Sequence, residues 1–384
     1  MIYFDNAATS YPKPEEVLEA IIDFTNNIGG SPGRSGHRLS IEAARILYQC
    51  RENLAELFNV SDPLKIIFTL NATEAINLVL KGLLYRGDHV ITSSMEHNAV
   101  MRPLHELEKN GVQVQVIPCT FDGVLNPEDI ERAIKKNTAL IVLNHASNVT
   151  GTILPIQCAG KIARKNNILF LVDAAQTAGS YPLDIEKNHI DLLAFTGHKG
   201  LFGPTGTGGL VIGENVDIHK ITPLKTGGTG SRSESEIHPD FLPDLYESGT
   251  QNIAGITGLN AGVRYILERG VEEIREYEIS LTEKLIQGLK EISGVTVYGN
   301  NGIGEQAAVV SFNISNQSPS DIGLKLDEEY DIMCRIGLHC SPSAHRTIGT
   351  LPAGTVRFSM SIFNTVQEIE KALMAVRRIA SGQQ

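Results

Sequence analysis

Short apolar segments alternate with amphipathic segments through the first two thirds of the 384-residue chain, and this alternation constrains its fold most. Each apolar segment has the length and β-branched content of a buried strand, and most are followed by apolar residues at helical spacing. The strand segments are KIIFTL, HVITSS, VQVQVI, ALIVLN, ILFLVD and DLLAFT. Strands that alternate with helices predict an α/β fold with a mostly parallel sheet, covered by helices and joined by right-handed crossovers.

Chemically reactive turns follow several of these predicted strands. The turns are NATE, MEHN, NHASN, DAAQ and TGHK. Because ligands of open parallel sheets bind outside the carboxyl ends of the strands, we expect these turns to share one site.

The pattern changes after Asn252, where two long helical stretches precede three strands and a closing helix from Thr365. This order is typical of a smaller α+β domain. We therefore predict a large α/β domain over residues 15–255, and a small domain that combines residues 1–14 and 256–384.

Charge and cysteine content exclude several classes of protein. The formal net charge is −11 without a long basic run, which argues against nucleic-acid and membrane-surface partners. Apolar runs are far shorter than the ~20 residues of a membrane helix, and the N-terminus lacks a signal core, so we expect a cytoplasmic protein. Five cysteines without a Cys-x-x-Cys pair suggest neither a disulfide framework nor a ribbon-type zinc site.

Lys199 follows the strand DLLAFT and precedes the glycine-rich stretch GLFGPTGTGG. A lysine at a strand end among small residues is suited to act as a reactive amine, although a surface lysine is the simpler alternative. Asp173 ends the apolar strand ILFLVD, where a carboxylate needs a partner. It either caps the next segment or holds a cationic ring nitrogen, as pyridoxal phosphate (PLP) enzymes require.

His97 also ends a predicted strand, where its ring could stack on a planar ligand or move a proton. Thr73, Thr196 and His198, with the backbone N–H groups after Asn71, are suitable donors for a phosphate. A nucleotide loop is excluded because Lys199 precedes the glycines and no Gly-x-Gly-x-x-Gly follows the first strand.

A last cluster lies in CRIGLHCSPSAHRTIGTLPAGTVRFSMS. Cys340 lies beside His339 and near other basic residues, a setting that favours a reactive thiolate. The cluster also offers a set of metal ligands whose spacing matches no usual zinc pattern: Cys334, His339, Cys340 and His345. Arg357 opens a predicted strand and has the fixed fork that binds a carboxylate, unless it only forms a surface ion pair.

Taken together and in order, eight motifs resemble the class V aminotransferase family, specifically its cysteine desulfurases of the sulfur-mobilisation and selenocysteine-lyase-like branch. They are DNAAT, NATEAIN, MEHN, SNVTGT, VDAAQTAG, TGHKGLFGPTGTGGL, ESGTQN and RIGLHCSP. The resemblance covers essentially the whole chain and implies the PLP-dependent transferase fold type I.

The resemblance also implies roles for residues. Lys199 would form the Schiff base with PLP, Asp173 would pair with the pyridinium nitrogen, Gln176 would bond the ring hydroxyl, and His97 would stack on the ring. The phosphate would be bound by Ala72, Thr73, Thr196 and His198, together with Thr250 of a second subunit, which implies a homodimer. The substrate carboxylate would be held by Asn148 and Arg357, with Arg34 as a weaker candidate.

The implied reaction converts L-cysteine to L-alanine. Lys199 would remove the Cα proton, and Cys340 would take the sulfur as a persulfide, on a loop whose small residues allow movement. The acceptor of that sulfur stays open among a thiol, a carrier protein, tRNA modification and iron–sulfur cluster assembly. The alternatives are a selenocysteine lyase, another enzyme of this fold, and a non-catalytic sulfur-relay scaffold.

Two positions depart from the common family pattern. Thr196 stands where serine is more usual, and Asn98 follows His97 where this branch often has a second histidine. Threonine at position 196 keeps the hydroxyl group of the usual serine. Asparagine at position 98 leaves undecided which residues relay protons.

Overall fold

The computed structural model describes residues 1–33, 36–299 and 305–382. Its strands are β1 Ile2–Tyr3, β2 Ile66–Thr69, β3 His89–Ser93, β4 Gln113–Ile117, β5 Thr138–Asn144, β6 Leu169–Asp173, β7 Leu192–Thr196, β8 Gly208–Ile212, β9 Val295–Tyr298, β10 Val309–Ile314, β11 Ile332–Met333, β12 Arg335–Gly337 and β13 Thr355–Ser359. Its α-helices are α1 Glu15–Asp23, α2 Arg38–Phe58, α3 Ala72–Leu83, α4 Asn98–Lys109, α5 Pro127–Ala133, α6 Ile156–Lys165, α7 Ile253–Arg269, α8 Val271–Lys290, α9 Pro319–Tyr330, α10 Pro342–Thr347 and α11 Val366–Ser381.

A seven-stranded sheet in the order β2-β8-β7-β6-β5-β3-β4 forms the centre of the larger part of the molecule. The pairs from β7 to β4 are parallel, whereas β8 is antiparallel to both of its neighbours. The predicted α/β fold with a mostly parallel sheet is thus confirmed. Apolar helix faces cover both sides of the sheet and bury β3, β7 and β8 fully, as in other doubly wound sheets, whereas the edge strand β4 is partly exposed.

Strand β8 was missed from the sequence because it lies within the glycine-rich stretch after Lys199. A Cβ atom at Gly208 would lie 2.6 Å from the Cα atom of Asn71. Glycine is therefore required for β8 to pack against the start of α3. This contact brings the end of β7 and the N-terminus of α3 together.

The smaller part of the molecule is built on the antiparallel sheet β12-β13-β10-β9. Strand β1 pairs with β11 in the same region, so the N-terminal residues pack beside the C-terminal part of the chain. The core between this sheet and helices α8, α9 and α11 contains three packed aromatic rings, those of Phe4, Phe312 and Phe358.

Helix α7 buries Ile256, Leu259 and Val263 in the core beside the large sheet. Helix α8 then continues into the core of the smaller part through Leu281 and Leu285. The domain boundary at residues 255 and 256 stays a prediction. No helix in the described part of the chain is both long and apolar enough to cross a membrane.

Candidate active site

A cavity of about 280 Å³ lies at the carboxyl ends of the parallel strands, against the smaller sheet. It brings together residues from distant parts of the sequence. The predicted site residues that line it are Ala72, Thr73, His97, Asn148, Asp173, Gln176, Thr196, His198, Lys199, Cys340 and Arg357. The strand register explains part of this assembly, because Asn144 of β5 pairs with Asp173 of β6, and Asp173 pairs with Ala194 of β7.

Lys199 lies three residues beyond the fully buried strand β7 and lines the cavity. Burial lowers the pKa of its amine to about 8, partly opposed by the carboxylate of Asp173, while the guanidinium groups of Arg357 and Arg335 lower it further. A minor part of the amine is therefore neutral near neutral pH, and the neutral form of an amine is the one that acts as nucleophile and base.

Asp173 is buried at the end of β6, and burial raises the pKa of its carboxyl group. Its Oδ1 atom accepts a hydrogen bond of 3.0 Å from the backbone N–H of Ala175. The carboxylate thus stabilises the following turn and also lines the cavity. A cation in the cavity beside it would compensate for part of the cost of burying this charge.

His97 caps helix α4, and its Nδ1 atom accepts a hydrogen bond of 3.0 Å from the backbone N–H of Ala99. Burial, followed by the positive charges of Lys199 and Arg335, lowers the pKa of His97 to about 4. The ring is therefore neutral at physiological pH and carries its proton on Nε2. A neutral, oriented imidazole at the cavity wall is suited to stack on a flat ligand.

Hydrogen-bond donors line the part of the cavity that includes the start of α3. Asn71 caps this helix by accepting a bond from Glu74, and the N–H groups of the first turn, at Ala72 and Thr73, have no partner within the helix. Within the described residues, the buried Thr196 Oγ1 and His198 Nδ1 atoms also have no hydrogen-bond partner. Unpaired buried polar atoms beside a helix N-terminus fit a phosphate.

Arg357 is 1% exposed and is held in place by two bonds. One terminal nitrogen lies 2.7 Å from Oδ1 of Asp5, and the other donates to the backbone oxygen of Asn148 at 2.9 Å. Burial lowers the pKa of the guanidinium, and Asp5 opposes this effect. The fixed guanidinium faces the cavity as a ready binding group for a carboxylate.

Asn148 contacts the loop that carries the reactive cysteine. Its Nδ2 atom donates to the backbone oxygen of His339 at 2.7 Å, and its Oδ1 atom accepts a bond of 2.6 Å from Ser341 Oγ. Its amide thus holds the loop against the large sheet, and its predicted contact with a substrate carboxylate stays a prediction.

Cys340 is exposed at the rim of the cavity. Its backbone oxygen accepts a bond of 2.9 Å from the N–H of Asn98, beside His97. Both His339 and Cys340 have left-handed backbone angles, with φ of 48° and 60°, which non-glycine residues rarely adopt. The segment expected to be a loop of small residues instead forms helix α10 directly after Ser341, with His345 buried.

Arg335 lines the cavity and was missed from the sequence, as was Asn144. Arg335 opens the motif RIGLHCSP and pairs across the sheet with Arg357. Its position five residues before Cys340 was the available signal. Only the pairing of β12 with β13 brings it to the cavity.

Of the other predicted site residues, one lies outside this cavity and one lies outside the described part of the chain. Thr250 is exposed and lines a different pocket, together with Glu74 and Lys225. Arg34 falls outside the described residues. Over residues 1–33, 36–299 and 305–382, no group of three His, Cys, Asp or Glu side chains is placed to hold a metal ion, so the metal set around Cys340 is not formed there.

Comparisons with known proteins agree with this architecture. The profile of the aminotransferase class V family matches residues 2–372. A probable cysteine desulfurase of Methanothermobacter thermautotrophicus is 36% identical over 376 residues, which is 96% of this chain and 92% of that protein. The apo structure of a cysteine desulfurase from Thermococcus onnurineus NA1 is 35% identical with a TM-score of 0.92, over 99% of this chain and 95% of that one. An Escherichia coli cysteine desulfurase in an S-sulfonic acid form is 28% identical with a TM-score of 0.87, over 100% and 95% of the two chains.

Proposed function

Since the chain belongs to the class V aminotransferase family, we propose that it is a PLP-dependent cysteine desulfurase, which converts L-cysteine to L-alanine and keeps the sulfur on Cys340. One observation carries this proposal. The amine of Lys199, the carboxylate of Asp173 and the thiol of Cys340 line a single cavity, although they come from three separate segments.

The residues around the cavity suit PLP. Asp173 would hold its ring nitrogen, His97 would cover the ring, and Gln176 would contact the ring hydroxyl. The phosphate would lie among the unpaired donors Thr196 Oγ1 and His198 Nδ1 and the N-terminal N–H groups of α3. When bound, PLP supplies an electron sink that stabilises negative charge at the substrate Cα.

Lys199 provides both attachment and proton transfer. Its neutral amine would hold the cofactor covalently, and with substrate bound its Nζ atom would take the Cα proton of L-cysteine. The lowered pKa, about 8, keeps part of the amine neutral at physiological pH, as general base catalysis requires. Arg357 would orient the substrate through its carboxylate, because Asp5 and the backbone of Asn148 already fix the guanidinium.

Cys340 completes the reaction. Its thiolate sulfur bonds to the substrate sulfur while the Cβ–S bond breaks, and the electron pair of that bond stays on the carbon skeleton. The skeleton gains a proton and leaves as alanine, so L-cysteine and a thiol become alanine and a persulfide without an added oxidant. The exposure of Cys340 allows a second thiol to reach the persulfide afterwards.

A second copy of the chain would complete the phosphate site. Thr250 is exposed and lies outside the cavity of its own chain, as expected if it serves the cavity of a partner. We therefore include a homodimer in the proposal. Five free cysteines suit a reducing compartment, which supports a cytoplasmic location. The sulfur acceptor would be a thiol, of a carrier protein or of a small molecule, with iron–sulfur cluster assembly as one destination.

The test is to incubate the PLP-loaded protein with L-cysteine and a reducing thiol and to measure alanine and sulfide. Cys340→Ser should abolish both products while the visible absorption of bound PLP is unchanged. Selenocysteine distinguishes the alternative, because a selenocysteine lyase could still release alanine from that substrate in the variant. No product from wild-type protein with either amino acid would contradict the proposal and favour a sulfur-relay scaffold.

A further inference from the structure

Arg335 is the second arginine of the cavity, and its surroundings differ from those of Arg357. Arg357 forms an ion pair of 2.7 Å with Asp5. Within the described part of the chain, Arg335 has no carboxylate oxygen within 4.0 Å. A partly buried guanidinium without an anionic partner is available to an anion that forms during the reaction.

The side chain of Arg335 is hydrogen-bonded to the sulfur of Cys340. One terminal nitrogen of its guanidinium lies 3.7 Å from Sγ of Cys340 and donates a hydrogen bond to it. Hydrogen bonds to an ionised acceptor are stronger than those to a neutral one. The contact therefore gains strength when the sulfur carries negative charge, as a thiolate or as a persulfide anion.

Strand pairing holds Arg335 in place, and hydrogen bonds from other segments hold the loop that carries Cys340. Arg335 begins β12, where it lies opposite Arg357 of β13. Cys340 is anchored through its backbone oxygen to Asn98 and through the neighbouring His339 to Asn148. The Arg335–Cys340 hydrogen bond thus joins the first residue of β12 to the loop that follows this strand.

We propose that Arg335 is a further catalytic residue, which stabilises the negative charge on the Cys340 sulfur before and after sulfur transfer. The proposal rests on the proposed desulfurase function. Before transfer, Arg335 favours the thiolate that attacks the substrate sulfur. After transfer, the same N–H group faces the persulfide, whose terminal sulfur carries the charge until a second thiol removes it.

The test measures the alkylation of Cys340 by iodoacetamide in PLP-loaded protein without L-cysteine. A neutral reagent reports the reactivity of the sulfur, and the absence of substrate removes any effect of Arg335 on substrate binding. Cys158, an exposed thiol on α6, serves as the reference within the same molecule by peptide mass spectrometry. We expect Arg335→Gln to lower the Cys340 to Cys158 labelling ratio roughly 3- to 10-fold.

Three comparisons separate this role from a structural one. Arg335→Lys keeps the charge and should restore part of the labelling ratio, whereas Arg346→Gln, an exposed arginine of α10, should leave it at the wild-type value. Unchanged PLP absorption and thermal unfolding show that the variants are folded. A wild-type labelling ratio in folded Arg335→Gln would overturn the proposal.

The outcome also separates this proposal from the proposed function. If wild-type protein forms no alanine and yet Arg335→Gln lowers the labelling ratio, the desulfurase assignment fails while the charge stabilisation by Arg335 stands. If alanine forms and Arg335→Gln leaves the labelling ratio unchanged, the desulfurase assignment stands and the charge stabilisation by Arg335 fails.

Discussion

Two regions of the cavity differ in how the structure positions their reactive groups. The strand-end cluster, formed by His97, Asp173 and Lys199, follows directly from buried strands of the large sheet. The sulfur loop, residues 338–341, lies between β12 and α10 and is held by side chains from elsewhere. The first region depends on regular structure, and the second depends on specific hydrogen bonds.

This difference corresponds to two chemical needs. Burial in the strand-end cluster lowers the pKa values of Lys199 and His97, so that both have neutral forms available. Such shifts require exclusion of water. In the proposed reaction, the thiol of Cys340 must instead reach both the substrate and an acceptor, and this thiol is exposed. Bonds from Asn98 and Asn148 fix its backbone without burying its sulfur.

The largest effect is expected from Lys199→Ala, which removes the amine of the strand-end cluster. Alanine formation from L-cysteine should fall by at least about 10²- to 10⁴-fold, because the amine that serves as the proposed base is lost. Purified protein should also lack the yellow colour of covalently held PLP. Absorption spectra and alanine assays check both expectations.

Two controls refine this prediction. Lys199→Arg keeps a positive charge at the site and should be colourless as well, since a guanidinium forms no stable imine. Cys340→Ser should remain yellow. If Lys199→Ala kept the wild-type absorption, the assignment of the lysine would be wrong and the two regions would not differ in role.

A smaller effect concerns the charge balance within the strand-end cluster. Asp173 raises the pKa of Lys199, against the dominant lowering by burial to about 8. Asp173→Asn should therefore move the pKa of this amine further down and increase its neutral fraction at neutral pH. The amine would lose its proton at lower pH than in the wild type.

Reductive methylation of cofactor-free protein across neutral and alkaline pH measures this shift, with Lys199 followed by peptide mass spectrometry. The wild-type midpoint should lie near pH 8, and the variant midpoint should be lower. Lys161, which is exposed on α6, provides the reference lysine within the same molecule. A wild-type midpoint at the ordinary lysine value, or an upward shift in the variant, would contradict the assigned electrostatics.

The smallest effect is expected from Ser341→Ala in the sulfur loop. The change leaves the buried Oδ1 atom of Asn148 without its 2.6 Å bond, at a cost of about 1–3 kcal/mol. Thermal unfolding should shift downwards and alanine formation should fall severalfold, while PLP binding stays as in the wild type.

Ser343→Ala is the matched control, because this serine lies on α10 and its backbone oxygen, not its hydroxyl, accepts the bond from Thr347. It should behave like the wild type. Loss of PLP from Ser341→Ala would show that the sulfur loop and the strand-end cluster are coupled. It would contradict the view that the two regions are positioned independently.

The family and the α/β fold were predictable because the strand segments, and the turns with polar side chains that follow them, are local features of the sequence. Lys199, Asp173 and His97 each stand next to an apolar strand, and parallel strands bring such ends to one edge. Strand β8 was not predictable in this way, since its glycines resemble a loop until Asn71 packs against Gly208.

The sequence alone thus indicated the fold class, the family and most of the polar side chains that line the cavity. Only the tertiary structure decided what each of them contacts: Arg357 with Asp5, Asn148 with the sulfur loop, and Arg335 with the sulfur of Cys340. Periodicity and turn motifs depend on neighbours in the chain, whereas burial, hydrogen-bond partners and electrostatic shifts depend on residues far apart in it. The strand-end cluster can therefore be predicted from the sequence. The contacts of the sulfur loop can be recognised only in the tertiary structure, where β12 pairs with β13.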